Sequence, residues 1–146
     1  MRPPGSHAVR ACGSEFLGTM LLVLVGPGTV AYTSVIRMTR PESLLAFGAA
    51  FGIIVAIAGT FLGPVSGAHI NPAISLANFL ASRLGRNLLL TYISFQILGA
   101  LAGGAVLRIL FPVSSSSSFL GSTSTALEFS LSEGLLWKWR AHSFLR

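Results

Sequence analysis

The sequence has little charge and few of the residues that most often carry out chemistry. Only 10% of its 146 residues are charged, aspartate does not occur, and Cys12 is the single cysteine. One cysteine excludes both an internal disulfide and a thiolate metal cluster within one chain. We find no Ser/His/acid set, no phosphate-binding loop and no second metal ligand at suitable spacing from His69. The sequence therefore predicts no enzyme, no cofactor and no metal site.

Apolar residues take the place of the missing charge. They make up 52% of the chain, and the mean hydropathy is +0.74, whereas a soluble domain carries about 25% charged residues. Residues 16–36 and residues 87–107 are uncharged runs of 21 residues each. Each run is long enough to cross the hydrocarbon core of a bilayer, which is about 30 Å thick. We therefore predict an integral membrane protein.

A third uncharged run, residues 43–82, is too long for one crossing. As a single helix it would reach about 60 Å, twice the hydrocarbon thickness. Three helix-breaking pairs interrupt it: Gly63-Pro64, Ser66-Gly67 and Asn71-Pro72. We predict one crossing over residues 43 to about 62, then a loop that re-enters the membrane and a half-helix over residues 72–82. Non-helical backbone at this depth must be buried in protein or line a water-filled cavity, so the pattern indicates a polar path.

Asn71 and Pro72 are suited to the start of that half-helix. Proline is favoured at the first helical position, and asparagine at the preceding N-cap, where its side-chain oxygen accepts a backbone N–H. The NH2 group of Asn71 then stays free to donate to a molecule in the path. An N-cap in an ordinary loop is the alternative interpretation.

Positive charge dominates among the few ionised residues, with a formal net charge of +6. Five arginines lie between the apolar runs or at their ends: Arg37, Arg40, Arg83, Arg86 and Arg108. Cationic side chains at such positions contact lipid headgroups, so the charge indicates a membrane surface and not a nucleic acid. With the N-terminus inside, four arginines flank the inner side of the three spans and three the outer side. Charge thus leaves the orientation open.

These patterns divide the chain into an N-terminal arm (residues 1–13), a membrane part (14–111) and a tail (112–146). The membrane part holds spans at about 15–36, 43–62 and 87–110, with the re-entrant loop and half-helix at 63–82. In the tail, a serine-rich loop is followed by Glu128-Phe129, which repeats Glu15-Phe16 at a distance of 113 residues. The apolar stretch at residues 126–136 has only eleven residues, so we predict a truncated start of a fourth span.

The segment Ser66-Gly67-Ala68-His69-Ile70-Asn71-Pro72-Ala73 resembles the first signature loop of the aquaporin, or major intrinsic protein, family. Glu15 with Thr19, Gln96 with Gly99, and Phe51 resemble its first-, third- and second-span positions. The resemblance implies an all-α membrane protein with three transmembrane helices and a re-entrant Asn-Pro-Ala half-helix. The family's pore needs two such boxes, and these 146 residues hold one. The chain therefore resembles the N-terminal half of the fold, in truncated form.

The resemblance also implies roles for individual residues. The positions that it places along the pore are Gly67, Ala68, His69, Asn71, Pro72, Ala73 and Phe51. For His69, the backbone carbonyl is the expected pore contact. Phe51 is either one wall of an aromatic filter or an apolar side chain that faces lipid or packs inside the protein. Glu15 either lies at the membrane interface or is buried and accepts N–H groups of the re-entrant loop, and Gln96 gives structural support.

The function implied is passive transport of water, or of small neutral solutes such as glycerol, through a multi-pass protein of the plasma membrane. The expected partners are membrane lipid, the solute and further copies of the chain, since the family forms tetramers. The alternative is a nonconducting fragment that associates with other subunits. We also expect poor packing of one half alone, with the small-residue surface at Gly99, Gly103 and Gly104 lacking its partners.

Overall fold

The computed structural model describes residues 4–111, with side chains from residue 7 onward. This part is all-helical, with four helices in chain order: α1 (Pro4–Val35), α2 (Arg40–Ser66), α3 (Pro72–Leu80) and α4 (Arg86–Leu110). Three of them are long and apolar enough to cross a membrane, while α3, with nine residues, reaches only about 14 Å. The predicted fold of three spans and a half-helix is confirmed. The interpretations of residues 112–146 lie outside the described residues.

The first helix begins earlier than the predicted span. It includes most of the predicted N-terminal arm and starts at Pro4, a residue favoured at the first position of a helix. It also continues through Pro27, although proline supplies no backbone N–H. Close to this point, the Thr29 hydroxyl donates to the Val25 carbonyl over 2.6 Å. A hydroxyl in an apolar helix is thus satisfied by its own backbone.

The second helix runs four residues beyond the predicted end at about residue 62. Pro64 lies inside its last turn, where the missing N–H removes one helical hydrogen bond without stopping the turn. The helix ends at Gly67, whose φ of 87° is the left-handed conformation that glycine adopts easily. The Gly67 N–H closes the turn by donating to the Gly63 carbonyl over 2.9 Å. The break is therefore at Ser66-Gly67 and not at Gly63-Pro64.

Helix α1 is the centre of the packing. It lies along both α2 and α4, and α3 packs against α4. The buried residues of α4 recur every three or four positions and so form one face. They are Leu89, Tyr92, Gln96, Gly99, Gly103 and Leu107.

Two glycines of this face let α1 and α4 approach closely. A Cβ on Gly99 would overlap the Phe16 carbonyl oxygen, and one on Gly103 would lie 2.9 Å from the Met20 carbonyl oxygen. The expectation that these glycines lack partners in one half alone is therefore wrong for both, because α1 supplies the partner surface. Gly104 differs, since a Cβ there would meet nothing within 4 Å.

We expect Gly99→Ala to destabilise the α1–α4 pair by about 1–3 kcal/mol, because the new methyl group meets backbone that cannot move aside. The matched control is Gly104→Ala, five residues further along the same helix. That change should leave stability unchanged or raise it, since alanine favours helix over glycine by about 0.5–1 kcal/mol. Unfolding in mixed detergent micelles, followed by circular dichroism, measures both. Equal stability of the two variants would contradict the close approach.

Candidate functional site

The re-entrant loop between α2 and α3 has an unusual backbone. Gly67, Ala68 and Ile70 have φ values of 87°, 48° and 43°. Positive φ is uncommon for alanine and is a clear outlier for a β-branched residue such as isoleucine. Each such residue costs about 1–3 kcal/mol and persists only when its surroundings hold it. The contacts that hold this loop are therefore the first feature to identify.

Glu15 of α1 provides the main contact. Its side chain is fully buried, and each carboxylate oxygen accepts two hydrogen bonds. Oε1 accepts from the Ser66 hydroxyl (2.6 Å) and the His69 N–H (3.0 Å). Oε2 accepts from the Ile70 N–H (2.6 Å) and from Gln96 Nε2 (2.7 Å). Of the two arrangements considered for Glu15, the structure shows the buried one, in which the carboxylate holds the loop.

The N–H groups and the carbonyls of the loop differ in their hydrogen bonding. Glu15 accepts two of its N–H groups, the Gly63 carbonyl accepts the Gly67 N–H, and Ser66 Oγ accepts the Ala68 N–H over 3.1 Å. All four N–H groups of residues 67–70 are thus paired inside the protein. In the described part of the chain, none of the four carbonyl oxygens accepts a hydrogen bond. The four carbonyls are therefore left without a partner among the described residues, although His69 and Ile70 are buried.

Asn71 caps α3 as predicted. Its backbone is extended, and its Oδ1 accepts the Ala73 N–H over 2.8 Å. Among the described residues no acceptor takes a hydrogen bond from its NH2 group, and the side chains of Asn71, Pro72 and Ala73 are exposed. The end of the half-helix therefore presents two free N–H donors next to the row of carbonyls.

Phe51 is not part of this loop cluster. It lies fifteen residues before Ser66 on α2, about 22 Å along the helix axis. The residue is 39% exposed, its ring centroid lies 5.7 Å from that of Phe47, and a Cβ added to Gly26 of α1 would be 3.0 Å from the ring. Phe51 and the loop therefore lie at different depths.

Two residues of the site were not predicted from the sequence. Ser75 is fully buried between His69 Nδ1 (3.1 Å) and Gln96 Nε2 (2.9 Å). The Tyr92 hydroxyl donates to the Ser66 carbonyl over 2.9 Å and so fixes the end of α2. A signal was present, because Tyr92 and Gln96 are four residues apart on one helix face and Ser75 lies in the first turn of the half-helix.

The family of the chain follows from comparison with known proteins. A family model described as "Major intrinsic protein" matches residues 5–136. This chain belongs to the major intrinsic protein family. Together with its three apolar helices, membership makes it an integral, multi-pass membrane protein.

Relatives come from animals and bacteria. The chain is 45% identical over 103 residues to the lens fiber major intrinsic protein of Gallus gallus and 39% identical over 102 residues to aquaglyceroporin AqpS of Rhizobium meliloti. These matches cover 70% of this chain, but only 38% and 44% of those relatives. Aquaporin-5 of Ovis aries is 32% identical over 132 residues, or 88% of this chain and 48% of the relative. The chain thus spans less than half the length of these three proteins.

We expect Glu15→Ala to destabilise the protein by several kcal/mol. Four donors lose their acceptor, and an unpaired buried donor costs about 1–3 kcal/mol. Glu42→Ala is the control, because Glu42 is exposed and, within residues 4–111, hydrogen-bonds to Thr39 alone. Thermal unfolding in detergent compares the two. Glu15→Gln should fall between them, since it keeps the shape but turns an NH2 group towards donors. Equal melting temperatures for Glu15→Ala and Glu42→Ala would show that the carboxylate does not hold the loop.

Proposed function

We propose that this chain forms one half of a membrane channel through which water, or a small neutral solute such as glycerol, passes along the re-entrant loop. The observation that supports this most directly is the division of polar groups in the loop. Four consecutive N–H groups are paired within the protein, and no donor of the described part reaches the four carbonyls. Polar backbone at this depth must be covered by protein or face water.

The half-helix supplies the donors that such a path needs. A water molecule that donates to a carbonyl of Gly67, Ala68 or His69 still needs a donor for its own oxygen, and we propose that the NH2 group of Asn71 provides one. The N-terminus of α3 adds a partial positive charge of about half an elementary charge. That charge opposes the entry of cations and leaves neutral molecules unaffected, which supports a neutral solute.

Phe51 gives the proposed path a second, apolar wall at another depth. Its partly exposed ring is fixed by contacts with Phe47 and with α1 at Gly26. A fixed aromatic wall narrows a path by size, whereas carbonyls select by hydrogen bonding. We propose that Phe51 limits the width of the solute and that the loop replaces the solute's hydration.

The proposed path has a second side that the described residues do not form. Asn71, Pro72 and Ala73 are exposed, and α3 packs on α4. We propose that a second half-helix, in the same polypeptide or in another subunit, faces this surface in the conducting state. By the family resemblance, the assembly is a homo-oligomer of the plasma membrane, with tetramers as the family's form. The competing proposal, a nonconducting fragment bound to other subunits, rests on the same exposed surface.

Cysteine labelling tests the path. In a Cys12→Ser background, we expect Ala68→Cys and Ala73→Cys to react with a water-soluble thiol reagent, because water at these positions allows the thiol to ionise. Alanine already carries a Cβ at both sites, so cysteine adds no backbone strain. Leu101→Cys is the control, since this exposed residue lies about 200° around α4 from the buried Gly99 and should face lipid. If all three cysteines were equally protected from the reagent, the proposal that water reaches the loop would be contradicted.

Stopped-flow light scattering on liposomes tests conduction itself. For the 146-residue chain alone we expect water permeability equal to that of empty vesicles, because one half-helix forms one side of the path. If permeability rises and is lost in Asn71→Ala, copies of this chain complete the pore by themselves. In a second experiment the C-terminal half of a relative, which carries a second half-helix, is added to the same liposomes. If water permeability still equals that of empty vesicles, the nonconducting alternative is correct.

A further inference from the structure

We propose that Ser75 is a positioning residue that holds the His69 ring in the tautomer with its proton on Nε2. The ring then presents an N–H donor beside the exposed loop. A chain of hydrogen bonds of fixed direction runs from Glu15 through Gln96 and Ser75 to His69.

The first step is the direction of the Gln96 amide. A carboxylate only accepts hydrogen bonds, so the amide atom 2.7 Å from Glu15 Oε2 must be the NH2 group. The opposite orientation would place a carbonyl oxygen against the carboxylate. In the structure Gln96 Oε1 points elsewhere, and it is the one fully buried side-chain N or O atom of the described part without a hydrogen-bond partner.

The second step concerns the Ser75 hydroxyl. The same Gln96 NH2 group lies 2.9 Å from Ser75 Oγ, so its second N–H donates to this oxygen. Ser75 is fully buried, and its own hydroxyl proton needs an acceptor. The remaining side-chain partner among the described residues is His69 Nδ1 at 3.1 Å. Ser75 therefore donates to Nδ1.

The third step assigns the ring proton. A neutral imidazole has one N–H, and the nitrogen that accepts a hydrogen bond carries none. The proton of His69 is therefore on Nε2. The ring cannot turn easily, because it also packs edge-on against Tyr92, with ring centroids 5.4 Å apart at 78°.

The location of Nε2 gives the tautomer its use. Nε2 has no hydrogen-bond partner in the described part, and it is not among the fully buried unpartnered atoms. It lies next to exposed Gly67, since a Cβ on that glycine would be only 3.2 Å away. The donor thus lies beside Gly67, in the loop that carries the unpaired carbonyls. The tautomer follows from the hydrogen bonds alone, whereas its use as a donor to a passing solute rests on the proposed function.

Nitrogen-15 NMR tests the assignment directly. The sample is the full chain in lipid nanodiscs, with His7→Gln and His142→Gln so that His69 gives the only imidazole signals. We expect Nδ1 to show the shift of an unprotonated ring nitrogen and Nε2 that of a protonated one. We also expect the Nε2 proton to show a cross-peak with water.

Variants of Ser75 test what holds the tautomer. Ser75→Ala should reduce the tautomer ratio about fivefold, the change that one hydrogen bond typically supports. Ser75→Thr keeps the hydroxyl and should keep the ratio. Ser94→Ala is the control, because that exposed hydroxyl donates to the Leu90 carbonyl of its own helix and to nothing else in the part that the structure describes.

Three results would overturn the proposal: a proton on Nδ1 in the unmodified side-chain network, an unchanged ratio in Ser75→Ala, or no water contact at Nε2–H. If Ser75→Ala does not fold, the parent spectrum and Ser75→Thr still decide the assignment. None of these readouts uses permeability, so a failure of the proposed transport function is seen separately in the liposome assay.

Discussion

One buried carboxylate holds this half-fold together. Glu15 is fully buried in α1, and it accepts hydrogen bonds from the end of α2, from two residues of the re-entrant loop and from α4. A charge in this environment is costly unless every lone pair is used, and here four donors reach it. The dependence is mutual. The loop needs an acceptor for N–H groups that no helix satisfies, and its left-handed Ile70 backbone needs a contact that holds it in place.

The need to pair Glu15 with donors also explains why the N–H groups and the carbonyls of the loop differ in their hydrogen bonding. The N–H groups of residues 67–70 are paired within the protein, whereas the carbonyls of the same residues accept no hydrogen bond in the described part. Tyr92 and Gln96 of α4 stabilise this arrangement. Tyr92 donates to the Ser66 carbonyl at the end of α2, and Gln96 donates to the carboxylate. Gly99 and Gly103 then bring α4 close enough to α1 for Gln96 to reach Glu15. The close packing of α1 against α4 and the pairing of the loop N–H groups thus both involve Glu15, which Gln96 reaches from α4.

Much of this could be predicted from local sequence, because membranes and caps impose strict rules. Uncharged runs of fixed length predicted the three spans, and Asn71-Pro72 predicted both the start of the half-helix and its cap. The end of α2 was predicted wrongly, since a proline in a last turn costs one hydrogen bond while a left-handed glycine changes the chain direction. Contacts between residues far apart in the sequence were harder to predict. Sequence alone could not choose between an interfacial and a buried Glu15, and the bond from Ser75 to His69 depends on how α3 lies on α4.

The wide sequence separation of the carboxylate from its donors has a consequence for biosynthesis. Ser66, Ile70 and Gln96 follow Glu15 by 51, 55 and 81 residues, so α1 emerges from the ribosome long before any of its partners. Glu15 lies eight residues into the first apolar segment, His7–Val35, about 12 Å from its start. Until α4 is made, Glu15 lacks the donor supplied by Gln96, one of the four that reach it in the folded protein. The set of hydrogen bonds to Glu15 is therefore complete only once α4 has been made.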